Sequence, residues 1–182
     1  MEIEQTGLKD CIIIKPRVFD DPRGYFFESF NKQTFEDMTG LSGEFVQDNQ
    51  SYSSYGVIRG LHAQTGAFAQ AKLVRVTKGE VLDVAVDARP GSPTYGQHVA
   101  VRLSAENKLQ LYIPRGFVHG FSVLSETAEF LYKCDNFFNK ASETGVIYND
   151  ADLNIDWMIP QDQQSVSEKD LLLKTFAELH HG

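Results

Sequence analysis

The sequence predicts an all-β fold, a sandwich or barrel with a few short helices, and three observations carry that prediction. Short runs rich in β-branched and aromatic residues follow one another roughly 8 to 12 residues apart. Gly and Pro punctuate these runs throughout, as strand-and-turn architecture requires. No internal repeat, low-complexity tract or long linker interrupts the pattern. One domain spanning residues 1–182 is expected, with a C-terminal segment from about 165 to 182 packing on or beyond the barrel.

Cys11 to Lys15 and Tyr25 to Phe30 read as the first strands, joined as a hairpin around the turn Asp20-Asp21-Pro22-Arg23-Gly24. From Asn31 to Met38 the pattern becomes helical. Asn31 can cap the N-terminus, Phe35 and Met38 stand i,i+3, and Gly40 can supply a left-handed stop. Further strands follow at Phe45 to Gln50, Val57 to Gln64, Lys72 to Thr77 and Glu80 to Asp87. The series continues with Gln97 to Leu103, Lys108 to Ile113, Phe117 to Leu124 and Glu129 to Cys134. Lys78-Gly79 and Glu106-Asn107 carry hairpin chemistry, since Gly and Asn accept positive φ, so antiparallel pairing across each is expected. From Ser165 onward Leu171, Leu172, Leu173 and Phe176 form a helix-like density, and His180 and His181 end the chain as an exposed tail.

A chain of 182 residues with 42% hydrophobic content can bury a substantial core. Its net charge of −8 excludes a nucleic-acid-coating role, which needs a broad basic surface, so no nucleic-acid partner is expected and any phosphate contact must be local. Cys11 and Cys134 are too few and too far apart for a disulfide framework or a zinc knuckle. The N-terminus lacks a basic segment followed by an apolar run, and no stretch approaches the about 20 apolar residues of a membrane span. The expectation is a cytoplasmic protein with no membrane partner.

A few residues do not fit a purely structural strand. On periodicity alone, His62 in Arg59-Gly60-Leu61-His62 reads as a structural or surface histidine. Residues three apart on a regular strand face opposite sides, so Arg59 and His62 reach one pocket only if the chain twists or bulges, and Gly60 is where it can. Lys72 shares a strand face with Val74 and Val76, so it either snorkels into water or lines a wet site. Asp83 sits inside an otherwise apolar run and needs a partner, for which His119 is the candidate. Tyr132 alternates with Phe130 and Cys134, facing inward as a core tyrosine or a site residue.

Pro114-Arg115-Gly116-Phe117-Val118-His119-Gly120-Phe121 resembles the second motif of the cupin superfamily, which implies a cupin-like jelly-roll β-barrel. Metal-binding cupins carry a His-x-His pair in their first motif. The corresponding His62-Ala63-Gln64 has one histidine, so a pocket without metal or cofactor is expected.

Several motifs then occur in one order. They are Arg23-Gly24-Tyr25-Phe26-Phe27-Glu28, Phe45-Val46-Gln47-Asp48-Asn49, Arg59-Gly60-Leu61-His62, Lys72-Leu73-Val74-Arg75, Gly91-Ser92-Pro93-Thr94, Leu103-Ser104-Ala105-Glu106-Asn107 and Phe130-Leu131-Tyr132-Lys133-Cys134. From about Gly7 to Asp170 the set resembles the dTDP-4-dehydrorhamnose 3,5-epimerase family of the rhamnose pathway. The resemblance implies a dTDP-linked 4-keto-6-deoxyhexose substrate, epimerised at C3 and C5 without a cofactor. It makes His62 the base, Asp170 the carboxylate that orients it, Lys72 the stabiliser of the enolate and Tyr132 the opposing acid. It gives His119 a substrate contact, and Arg23 and Arg59 places near the diphosphate. Glu28, Gln47, Asp48 and Asn49 match contacts to the nucleotide and its sugar, with Glu143 and Lys169 as further matches. Phe138 stands where the family usually stacks a Tyr on thymine. A homodimer with exchanged strands is implied as well.

The chain departs from the family at Ala63, where an aromatic residue is usual, and at Thr65-Gly66-Ala67-Phe68, which lacks a customary proline. A changed fit beside His62 is the expectation there. The alternatives are an epimerase of one carbon only, a metal-dependent cupin and a non-catalytic binder of sugar nucleotides.

Overall fold

The computed structural model describes residues 1–179, so the expectation for His180 and His181 falls outside the described residues. The strands are β1 (Glu2–Gln5), β2 (Ile12–Lys15), β3 (Val18–Asp21), β4 (Gly24–Phe27), β5 (Gln47–Ser54), β6 (Val57–Gln64) and β7 (Lys72–Lys78). They continue with β8 (Glu80–Asp87), β9 (His98–Ser104), β10 (Gln110–Ile113), β11 (Phe117–Val123), β12 (Thr127–Cys134), β13 (Glu143–Gly145) and β14 (Ser165–Val166). Helix α1 (Lys32–Thr39) follows β4, and α2 (Glu168–Leu171) follows β14.

Two sheets face each other as a cupin-like jelly roll. One runs β1-β2-β10-β7-β12-β5 and the other β13-β6-β11-β8-β9, with β14 added parallel to β6. Between them Val74, Val76, Val81, Leu103, Phe121 and Phe130 form the main core. Each such side chain, fully buried, contributes about 1.5–3 kcal/mol. Strand β8 is buried on both faces. Val81 and Ala85 face that core, while Leu82, Val84 and Val86 pack under Trp157 and Phe176 of the C-terminal segment. A third cluster lies outside the first sheet, where Phe35 of α1 covers Ile12, Ile14, Leu73 and Tyr112.

Helix α1 follows its sequence signals: the Asn31 side chain accepts from Thr34 N, and Gly40 ends the helix with φ 68°. Other expectations need correction. Strand β4 pairs with β3, not with β2, so the first hairpin turns at Pro22-Arg23. No ladder spans Lys78-Gly79 or Glu106-Asn107. Strand β7 pairs with β10 and β12, while β8 and β9 pair in the opposite sheet. Gly79 does take positive φ (73°), but it turns the chain from one sheet to the other, because a jelly roll separates consecutive strands between layers. The helix expected after Ser165 shrinks to the single turn α2, since Leu172 is 85% exposed and Phe176 is drawn into the core.

Candidate active site

Three strand features build the site. Strand β5 alternates strictly, with Gln47, Asn49, Ser51 and Ser53 turned inward and Asp48, Gln50, Tyr52 and Ser54 outward. Strand β12 sets Cys134, Tyr132 and Phe130 beside that inward row, in register with Gln47, Asn49 and Ser51. Strand β6 is irregular where the sequence placed its one opportunity. His62 pairs with His119 and Arg59 with Phe121, so three steps on β6 match two on β11. Gly60 carries the extra residue with φ 125°, its Cα packed against Gly120. That bulge brings Arg59 and His62 to the same cavity, which regular alternation forbids.

The cavity encloses about 580 Å³ between the sheets and is lined by Arg59, His62, Lys72, His119, Tyr132 and Asp170, among others. His62 Nε2 lies 2.7 Å from Asp170 Oδ1. Asp170 reaches it because β14 pairs with β6 and Ser167 caps α2, its hydroxyl accepting from Asp170 N. Burial alone would raise the Asp170 pKa, but hydrogen bonds from His62, Gly60 N and Ser167 hold it below the usual range. Lys72 does not snorkel into bulk water: burial lowers the pKa of its ammonium, which lies 5.8 Å from the centre of the Tyr132 ring. Burial raises the Tyr132 pKa, and among the described residues nothing hydrogen-bonds its hydroxyl. The partner foreseen for Asp83 is present, with His119 Nε2 at 2.8 Å from Asp83 Oδ1.

Arg59 donates from Nε to Ser53 Oγ at 3.0 Å, and among the described residues nothing hydrogen-bonds its terminal nitrogens at the cavity. Gln47 and Asn49 join the inward row and hydrogen-bond each other at 3.1 Å. Lys169 lines the cavity and pairs with Glu143 at 2.6 Å. Phe138 is 53% exposed, its backbone N–H donating to Gln47 Oε1.

The remaining expected residues lie elsewhere. Asp48 faces outward and pairs with Lys133 at 2.9 Å, because three consecutive strand residues cannot share one face. Arg23 sits at the tip of the β3–β4 hairpin, exposed and bonded to Asp21, and Glu28 is exposed near Asn31. Neither reaches the cavity of its own chain. Ala63, expected to alter the fit beside His62, points the other way. It lines a separate apolar hollow with Ala88, Pro90, Val118 and Leu179, because neighbours along a strand face opposite sides. Ser51 and Ser53 escaped notice. The polar series at i+2 spacing along β5 was their available signal, since a polar row facing inward implies a wet interior. Among the described residues no three His, Cys, Asp or Glu side chains converge in a way that could hold a metal ion, and no helix is long and apolar enough to cross a membrane.

Fold and site together define a cupin-like jelly-roll enzyme with a histidine–carboxylate pair, an ammonium and a phenol around one cavity. A model of the dTDP-4-dehydrorhamnose 3,5-epimerase family matches residues 5–178, and the chain belongs to that family. It is 54% identical over 178 residues to the dTDP-4-dehydrorhamnose 3,5-epimerase of Pseudomonas aeruginosa, covering 98% of this chain and 97% of that one. Its structure resembles the crystal structure of the Elizabethkingia anophelis enzyme of the same name, with a TM-score of 0.95, 59% identity and 98% of both chains covered. It also resembles the Legionella pneumophila dTDP-6-deoxy-D-glucose-3,5-epimerase in complex with dTDP-4-keto-L-rhamnose. There the TM-score is 0.94 and the identity 47%, covering 98% of this chain and 94% of that one.

Proposed function

We propose that this enzyme inverts C3 and C5 of dTDP-4-dehydro-6-deoxy-D-glucose to give dTDP-4-dehydro-L-rhamnose. The observation that carries the reading is the meeting of His62 from one sheet with Tyr132 and Lys72 from the other around a single cavity. The C4 ketone acidifies the protons on both neighbouring carbons, so each inversion needs a base, an enolate stabiliser and an acid on the far face.

Asp170 accepts the Nε2 hydrogen of His62 at 2.7 Å, which leaves the Nδ1 lone pair to remove the proton. As the imidazolium forms, the same carboxylate stabilises it. The Lys72 ammonium, partly desolvated, meets the charge that develops on the C4 oxygen more strongly than it would in water. Tyr132 has a hydroxyl without a partner among the described residues and a pKa raised by burial, so it holds its proton until the enolate takes it. The cycle closes when His62 returns its proton to solvent and Tyr132 regains one.

At the nucleotide end, Arg59 offers its free guanidinium edge to the diphosphate. Gln47, Asn49, Lys169 and Glu143 contact the nucleotide and its sugar, and Phe138 offers an exposed ring face to thymine. Arg23 and Glu28 serve the cavity of a second copy in a homodimer, reached by the projecting β3–β4 hairpin. Asp48, turned outward, contributes no side chain to its own cavity.

Tyr132→Phe tests the division of labour. The variant is expected to keep washing substrate hydrogen into solvent while product formation falls by about a hundredfold or more. Equal loss of exchange and inversion would contradict the acid role of Tyr132.

A further inference from the structure

A second histidine–carboxylate pair lies deeper than the first. His119 Nε2 and Asp83 Oδ1 are 2.8 Å apart, and both residues are buried, Asp83 completely. The other Asp83 oxygen is buried without a hydrogen-bond partner among the described residues. The imidazole stacks on Phe130 with centroids 6.1 Å apart, which fixes the plane of the ring. Among the described residues nothing hydrogen-bonds His119 Nδ1, yet that nitrogen is not among the sealed, unpartnered atoms, and His119 lines the cavity. The ring therefore offers the cavity one nitrogen and gives the other to Asp83.

What that free nitrogen offers depends on where the ring carries its hydrogen. Burial pushes the His119 pKa down. Asp83 opposes that push and is outweighed, and the nearby Lys72 and His62 add to the downward shift. The ring is neutral and has a single N–H. Asp83 Oδ1, at 2.8 Å, takes the acceptor side of this contact, so the hydrogen between the two residues sits on Nε2, and Nδ1 carries a lone pair.

We infer that Asp83 is a specificity-determining positioning residue: it fixes His119 as the Nε2–H tautomer, so that Nδ1 accepts a hydrogen bond from a sugar hydroxyl and cannot donate to the C4 oxygen. Lys72 is then left as the donor to the enolate oxygen, and the two residues divide the sugar between them, one reading a hydroxyl and the other the ketone. A buried acceptor of this kind discriminates strongly, because a sugar lacking the hydroxyl leaves it unpaired. The inference rests on the proposed function, since it takes the cavity to hold the sugar.

Long-range proton–nitrogen correlation spectra of the full-length protein with ¹⁵N-labelled histidine test the tautomer directly, with the His119 ring assigned by its disappearance in His119→Gln. Hydrogen on Nε2 is expected, and hydrogen on Nδ1 or on both nitrogens would overturn the inference. A kinetic experiment tests the consequence, using substrate analogues that lack the C2 or the C3 hydroxyl and reading deuterium uptake at C5, which neither deletion removes. In the unaltered enzyme one deletion is expected to lower kcat/KM by at least about tenfold. In Asp83→Leu the acceptor facing Nε2 is gone, the ring hydrogen moves to Nδ1, and that tenfold difference disappears. A difference that persists in Asp83→Leu, or none in the unaltered enzyme, would contradict the inference. Failure of C5 uptake from the complete substrate would count against the proposed function instead, and the ring spectrum of the ligand-free protein would still decide on Asp83.

Discussion

In the proposed reaction His62 acts through Nδ1, because Asp170 occupies its other nitrogen at 2.7 Å, and this pairing was legible in the sequence only through family resemblance. Strand periodicity left His62 a structural histidine, since a partner 108 residues away leaves no local trace. Asp83 was more readable, because an acid inside an apolar run must find a partner, and it found His119. At this scale the pH dependence follows from two opposite shifts. Burial lowers the Lys72 pKa, so its charge is lost below the ordinary lysine value of about 10.4. Burial raises the Tyr132 pKa, so the phenol keeps its proton over the same range. The alkaline fall in kcat/KM therefore belongs to Lys72. It is expected to persist in the hydrogen exchange of Tyr132→Phe and to move upward in Lys72→Arg, whose guanidinium stays charged. A fall unchanged in Lys72→Arg would assign it elsewhere.

At the scale of elements, strand β6 shows what a pattern can and cannot reveal. Arg59 and His62 at i,i+3 demanded an irregularity, and Gly60 marked where it occurs. The strand boundaries of β6 and β8 match the sequence reading residue for residue. The pairing did not follow. Gly79 and Asn107 have residue types suited to a hairpin turn, and turn chemistry does not distinguish a hairpin from a corner that carries the chain to the other sheet. The bulge gives a direct prediction. A Cβ on Gly60 would stand 2.5 Å from Gly120 Cα and 2.8 Å from the His119 carbonyl oxygen, in a left-handed conformation. Gly60→Ala is expected to cost about 3 kcal/mol in urea unfolding. By displacing Arg59 and His62 it should also lower kcat/KM by about a hundredfold. Stability and activity close to those of the unaltered enzyme would mean that the bulge does not position the site.

Across the whole molecule, the jelly roll holds Tyr132 and His62 on separate sheets and uses the C-terminal segment as a strap that carries Asp170 to His62. Strand spacing made an all-β sandwich or barrel readable and the motif at Pro114 to Phe121 narrowed it to a cupin-like jelly roll, whereas the strap was not readable, because its buried residues follow no helical or strand period. Ala63, the departure that suggested an altered fit, faces a hollow on the other side of β6, away from the cavity that His62 lines. Two residues matched to the nucleotide, Arg23 and Glu28, remain outside the cavity on an exposed hairpin whose Tyr25 and Phe26 are 58% and 69% exposed. A homodimer is the expected solution state, and light scattering should return twice the mass of the chain. A monomeric mass at working concentration would leave those residues without a site. The central claim, that one cavity inverts both carbons beside the ketone, is tested most directly by turning over dTDP-4-dehydro-6-deoxy-D-glucose in deuterium oxide and locating the label. Deuterium at both C3 and C5 is the predicted result; label at a single carbon, or at neither, would contradict it.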